Sequence, residues 1–241
     1  EEQDFDQLVR ELRGVVAPAD LKEIEECSKS IQDELKRCAL VFNCHMGRGR
    51  TTTGMVCASI MVRAAGEWTA PSSATLPKPE AAGRDLSRGE FGKILELLWQ
   101  LESLGSADAG ATEGTAGLGL RSKLMVDQCA DECGEVTNLV GASAKCIEKA
   151  AKAELREQQQ REHKAGADEE TAPGVAQLAE EKEGSAFWKH RGVKYLERYA
   201  YLLLFAGYVQ LAKSDGFRTS FSAWMRRHWA FKRTIKELAL S

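Results

Sequence analysis

An excess of basic residues is absent from this chain: 33 Lys and Arg stand against 36 Asp and Glu, for a formal net charge of −3. That balance excludes generic nucleic-acid affinity, and no basic stripe with interleaved aromatics offsets it. No long apolar run is present either. The longest, Tyr199 to Val209, is far short of the ~20 residues that cross a bilayer, so no membrane span is expected. No signal peptide opens the chain at Glu1, and the expected compartment is the cytoplasm. The seven cysteines are odd in number and form no compact disulfide framework, which suits a reducing compartment. Cys129, Cys133 and Cys146 lack histidines at ligand spacing. They read as core or surface thiols, and no metal or other cofactor is expected.

What is present is Cys44-His45-Met46-Gly47-Arg48-Gly49-Arg50-Thr51. The run before it, Ala39 to Phe42, reads as a short buried strand. The run after it, Thr51 to Arg63, reads as a helix with Met55, Ala58 and Val62 on one apolar face. Strand, glycine-containing loop and helix N-terminus together make a phosphate cradle with a thiolate at its floor. A phosphate monoester is a dianion, and the free N–H groups and positive dipole end of a helix suit it. Gly47 and Gly49 allow successive N–H groups to converge on one anion. The same field lowers the Cys44 pKa from about 8.5 toward the range where a thiolate forms at neutral pH. That thiolate attacks phosphorus and forms a phosphocysteine. Arg50 binds two phosphoryl oxygens with its planar fork, which Lys does not match. Thr51 directs its hydroxyl at the sulfur and helps the thiolate leave when water attacks.

Two other loop chemistries fit less well. A nucleotide-binding loop needs a Gly-Lys-Thr/Ser ending, which is missing. A redox pair needs a second cysteine in C-x-x-C spacing with Cys44, also missing. Within the loop, His45 and Arg48 are the specificity candidates, and Met46, Gly47 and Gly49 complete the substrate-binding stretch. Arg48 adds a second cation, which a polyphosphorylated substrate would use and a monophosphate would not. As a plain solvated charge it would do neither.

The rest of the chain reads as helices and loops. Asp4 to Val16 is an amphipathic helix, and Ala19 to Leu35 a second, charge-rich one. Pro71, Pro77 and Pro79 among Ser, Ala and Thr mark 66–88 as a flexible insertion. Gly89 to Leu104 is a helix with Phe91, Ile94, Leu95, Leu98 and Trp99 inward. The Gly/Ala/Thr-rich stretch 105–119 is a second loop. Arg121 to about Ala165 is mostly helical, and its charged end, Glu154 to Lys164, is a solvated face. An acidic linker at 166–184 precedes a last long helix, Ser185 to Ala212, with Leu196, Tyr199 and Leu203 on a buried stripe. Phe221 to Leu240 closes the chain. Among its cations, Arg226, Arg227 and Lys232 are candidates for an acidic membrane surface or head group.

The stretch from Val41 to Val56, around Cys44-His45-Met46-Gly47-Arg48-Gly49-Arg50-Thr51, resembles the phosphatase loop of paladin-like proteins, relatives of the bacterial protein-tyrosine-phosphatase-like phytases. Further blocks in family order support this: Met125-Val126-Asp127 through Asn138-Leu139, Lys194-Tyr195-Leu196-Glu197-Arg198-Tyr199, and Ser222-Ala223-Trp224-Met225. The resemblance implies an α/β cysteine-phosphatase fold, with the phosphate loop at a strand–loop–helix junction and a helix-rich C-terminal half. It also implies tandem repeats in a longer parent chain, with adjoining repeats as partners. On this reading residues 1–120 are the catalytic segment and 121–241 a helical region packing on it. By position Cys44 is the nucleophile, Arg50 the phosphate clamp and Thr51 the leaving-thiolate helper. Two departures stand out. Asn43 occupies the place where cysteine phosphatases at large often carry His. The family's catalytic aspartate belongs upstream of the helix that begins here at Asp4, so the chain reads as truncated at its N-terminus. Asp4 and Asp6 fit caps or first-turn charges better than the acid.

Three functions follow. The first is a cysteine-dependent phosphatase acting on inositol polyphosphates, phosphoinositides or a phosphoprotein. The second is a phosphatase-like repeat that binds phosphate without turnover, as a signalling scaffold. The third is a protein tyrosine or dual-specificity phosphatase, which predicts a deep aromatic pocket in place of a wide basic one.

Overall fold

The computed structural model describes residues 42, 50–66, 68, 75–78, 85–86, 89–108, 117–134, 136–166 and 184–238. Among them the chain forms seven α-helices: α1 (Arg50–Ala65), α2 (Gly92–Asp108), α3 (Leu118–Glu132), α4 (Leu139–Gly166), α5 (Ser185–Ala212), α6 (Phe221–Arg227) and α7 (Trp229–Lys236). Their apolar residues recur at helical spacing. Val56, Cys57, Ile60, Met61 and Ala64 make the buried stripe of α1, and Ile94, Leu95, Leu97, Leu98 and Leu101 that of α2. The centre of the molecule is α5, in which every residue from Leu202 to Val209 is buried. A helix that is apolar all round must be enclosed, and α1, α2, α3 and α4 pack about it. Each large side chain buried there contributes roughly 1.5–3 kcal/mol.

Helix ends are tied down by side chains from neighbouring helices. Gly117, before α3, has no capping side chain, and Glu102 of α2 serves in its place, accepting from the Gly119 and Leu120 N–H groups at 2.8 and 3.2 Å. Glu157 of α4 accepts from the Ser185 N–H at 2.9 Å at the start of α5. With Ser143 near the start of α4 donating to the Gly192 carbonyl at 3.1 Å, this sets α4 and α5 antiparallel. At the far end of α5, Phe205 and Tyr208 join Phe221 and Trp224 in one aromatic cluster.

The α/β expectation is corrected by this architecture. No strand occurs among the described residues, and the layers are helix on helix. The apolar stripes of the helices are buried against each other and against α5, which takes the central place a sheet would fill. Of the expected strand, Ala39, Leu40 and Val41 lie outside the described residues, as do the two expected N-terminal helices and the linker residues 167–183. The helices read at 51–63, 89–104 and 185–212 are present, as α1, α2 and α5. α2 runs on to Asp108 because Gly105 alone interrupts its helix formers, at about 1 kcal/mol. The mostly helical stretch from Arg121 is made of two helices, α3 and α4. Gly134 adopts φ +70°, a left-handed turn open to glycine, and Asn138 restarts the helix by accepting from the Gly141 N–H at 2.8 Å. No helix among the described residues is long and apolar enough to cross a membrane.

Candidate active site

Arg50 is the first residue of α1 and is exposed. It therefore stands among the four residues whose N–H groups have no partner within the helix. Thr51 is half-buried, whereas Thr52 is buried and turned inward, where its Oγ1 accepts from the Thr137 N–H at 3.2 Å. The connection between α3 and α4 is thereby fastened to the first turn of α1. Phe42 reaches the same end of the helix. Its ring lies where a Cβ on Gly54 would come within 2.7 Å, so only glycine leaves room for it. The chain is thus anchored on the first turns of α1 on both sides of residues 43–49. Cys44, His45, Met46, Gly47, Arg48 and Gly49 themselves lie outside the described residues, as do Asn43, Asp4 and Asp6.

Beside the first turns of α1 lies a cavity of about 840 Å³, lined among others by Thr52, Val56, Lys123, Asp127, Thr137 and Tyr199. One network crosses it. The Tyr199 hydroxyl donates to Asp127 Oδ1 at 3.0 Å, and Lys123 Nζ donates to Asp127 Oδ2 at 2.6 Å. Burial, then the Asp127 charge and the hydrogen bond to it, pushes the Tyr199 phenol well above its ordinary range. Asp127 thus accepts on both oxygens. Glu90 and Asp131 also line the cavity, so three carboxylates face one ammonium among its described residues. An anionic substrate gains nothing from that wall. Arg50 is not among the described residues that line it.

The network joins two of the sequence blocks singled out above, around Asp127 and around Tyr199. The Lys123–Asp127 spacing of four on a helix was a readable signal. The meeting of Asp127 with Tyr199, 72 positions apart, was not.

Two of the described thiols, Cys57 and Cys129, are buried core groups. Burial pushes Cys57 well up, with a further push from neighbouring Cys129. Cys129 is raised chiefly by burial, with Ser59 and Arg63 working against it. Such thiols are poor nucleophiles. Among the described residues no cluster of three or more His, Cys, Asp or Glu is placed to hold a metal ion.

Residues 1–62 match the family model described as PTP-like phytase, inositol hexakisphosphate. Over 93% of its length the chain is 26% identical to paladin of Gallus gallus and, likewise over 93%, 26% identical to paladin of Xenopus tropicalis and of Homo sapiens. The match covers 20% of each of those proteins, so the chain spans about a fifth of the length of the curated relatives it matches. No solved structure gives a significant match. The chain is paladin-like in sequence, and its first 62 residues, which carry the Cys44-to-Arg50 motif, are phosphatase-like.

Proposed function

We propose that this chain is a cysteine-dependent phosphatase module of a longer protein, acting on inositol polyphosphates or phosphoinositides. The observation that carries the reading is the position of Arg50: a Cys-x5-Arg motif ends on the first residue of a helix with an exposed N-terminus. The match of residues 1–62 to a phytase family model supports the substrate class.

The chemistry runs in two displacements. The Cys44 thiolate attacks phosphorus, a P–S bond forms, and the P–O bond to the alcohol breaks as that oxygen takes up a proton. Arg50 and the helix N–H groups hold the equatorial oxygens as charge shifts onto them. Water then attacks the phosphocysteine, inorganic phosphate leaves, and the thiolate is restored with Thr51 donating toward the sulfur. Arg48 takes a second phosphate of a polyphosphorylated ring. Adjoining repeats of the parent chain are the proposed partners, and the cytoplasm the proposed compartment.

A second reading, a phosphate-binding scaffold, is favoured by one observation. Of the three carboxylates that line the cavity, Asp127 accepts from both Lys123 and Tyr199, the arrangement of a structural acceptor. The test is phosphate release from inositol hexakisphosphate, a phosphoinositide and a phosphotyrosine peptide, by the chain and by Cys44→Ser. Release that Cys44→Ser abolishes supports the enzyme, and the preferred substrate separates inositol from protein phosphatase. No release, with phosphate binding that survives Cys44→Ser and is lost in Arg50→Ala, leaves the scaffold.

A further inference from the structure

The outward face of α6 and α7 combines two features that folding does not require. Trp229 is 65% exposed, more than any other large aromatic among the described residues. Arg226 and Arg227 of α6 and Arg233 and Lys236 of α7 are all exposed as well. The Arg233 guanidinium lies over the indole, 5.4 Å from the ring centroid. Among the described residues no carboxylate pairs with Arg226, Arg227 or Lys236. The nearest acid in sequence, Glu237, is held by Lys93 at 2.6 Å, with Arg233 a looser partner at 3.7 Å. Four exposed cations thus fall between residues 226 and 236 of a chain whose net charge is −3.

The opposite face of α7 is already satisfied. Phe231 and Ile235 are buried, and Thr234 accepts from Gln100 of α2 at 2.9 Å. The short helix is anchored to the bundle by its apolar side and presents the indole and the cations to solvent.

We propose that this face docks on an anionic lipid bilayer. A lone indole flanked by cations needs no shape-complementary partner at a bilayer. Its amphipathic ring settles at head-group depth, and the cations meet the negative surface potential. The patch has no part in the cavity described above. The docking is independent of the chemistry proposed for Cys44.

The test is co-sedimentation of the full chain with phosphatidylcholine vesicles, with and without phosphatidylserine. Binding is expected only with phosphatidylserine, weakening as salt screens the surface. Each basic residue removed should cost about fivefold in partition. Arg226→Gln/Arg227→Gln should therefore lose about 25-fold, and Trp229→Ala should weaken binding at every salt concentration. The Trp emission that Trp229→Phe removes should shift to the blue on binding. Cys44→Ser should bind like the parent chain. All substituted positions but Cys44 are exposed, and unchanged thermal melting will show that the variants fold. Equal binding to both vesicle types, or variants that bind like the parent, would overturn the proposal. So would retention on heparin or an acidic peptide without vesicle binding.

Discussion

Replacing Tyr199 by Phe isolates one hydrogen bond. The ring is 3% exposed and would stay where it is, so apolar burial is unchanged. What disappears is the donation to Asp127 Oδ1 at 3.0 Å. A hydrogen bond to a charged acceptor contributes about 1.5–3 kcal/mol. The Asp127 side chain is 39% exposed, so water takes up part of the vacated acceptor, and the cost should fall to about 1–2 kcal/mol. For a chain of this size that is a Tm decrease of roughly 2–8 °C. Urea unfolding at neutral pH should show the midpoint moving with the slope unchanged. Asp127→Asn should cost a similar amount. The double variant should fall short of the sum by about 1 kcal/mol, because both changes break the same contact. A pH series adds a separate check. The folded phenol binds its proton more tightly than the unfolded one, so its contribution is complete below about pH 10 and is lost as pH rises from there. Tyr199→Phe should flatten that alkaline decline. A Tyr199→Phe midpoint indistinguishable from the parent, or additive energies in the double variant, would refute the reasoning.

Other outcomes follow from the same structure. Glu102→Ala removes the acceptor at the start of α3 and should cost about 1–2 kcal/mol in urea unfolding. The Cys57 thiol is pushed well up by burial, so its stabilisation is whole below about pH 8.5 and declines above it; Cys57→Ala should lessen the loss of stability between neutral and alkaline pH. Gly54→Ala places a Cβ within 2.7 Å of the Phe42 ring and must displace it. If residues 43–49 form the catalytic loop, phosphate release should drop about ten- to a hundredfold, and melting should show the fold retained.

How far the sequence could be read depended on the range of each interaction. A helix from Thr51 followed from the end of the glycine-rich motif and the apolar repeat after it, and α1 begins one residue earlier, at Arg50. The extent of α5 followed from its bounding glycine and long apolar run. The α/β expectation came from four apolar residues, Ala39 to Phe42, and from resemblance. A run that short does not distinguish strand from helix, and the helical stripes were compatible with either neighbour. The solvated end of α4 was legible because a dense charge run has no other stable place.

The sequence by itself determined local matters: helical periodicity, the charged surface, and the Cys44-to-Arg50 motif with its likeness to phosphatases. These depend on residues a few positions apart. Only the tertiary structure decided that α5 is the central helix, that Thr52 turns inward to hold Thr137, and that Tyr199 meets Asp127 beside the first turns of α1. It also decided which face of α7 is buried and which leaves Trp229 among cations. Such pairings join residues tens of positions apart through packing and desolvation. Many partners satisfy the pattern of one helix, and only the assembled bundle selects among them.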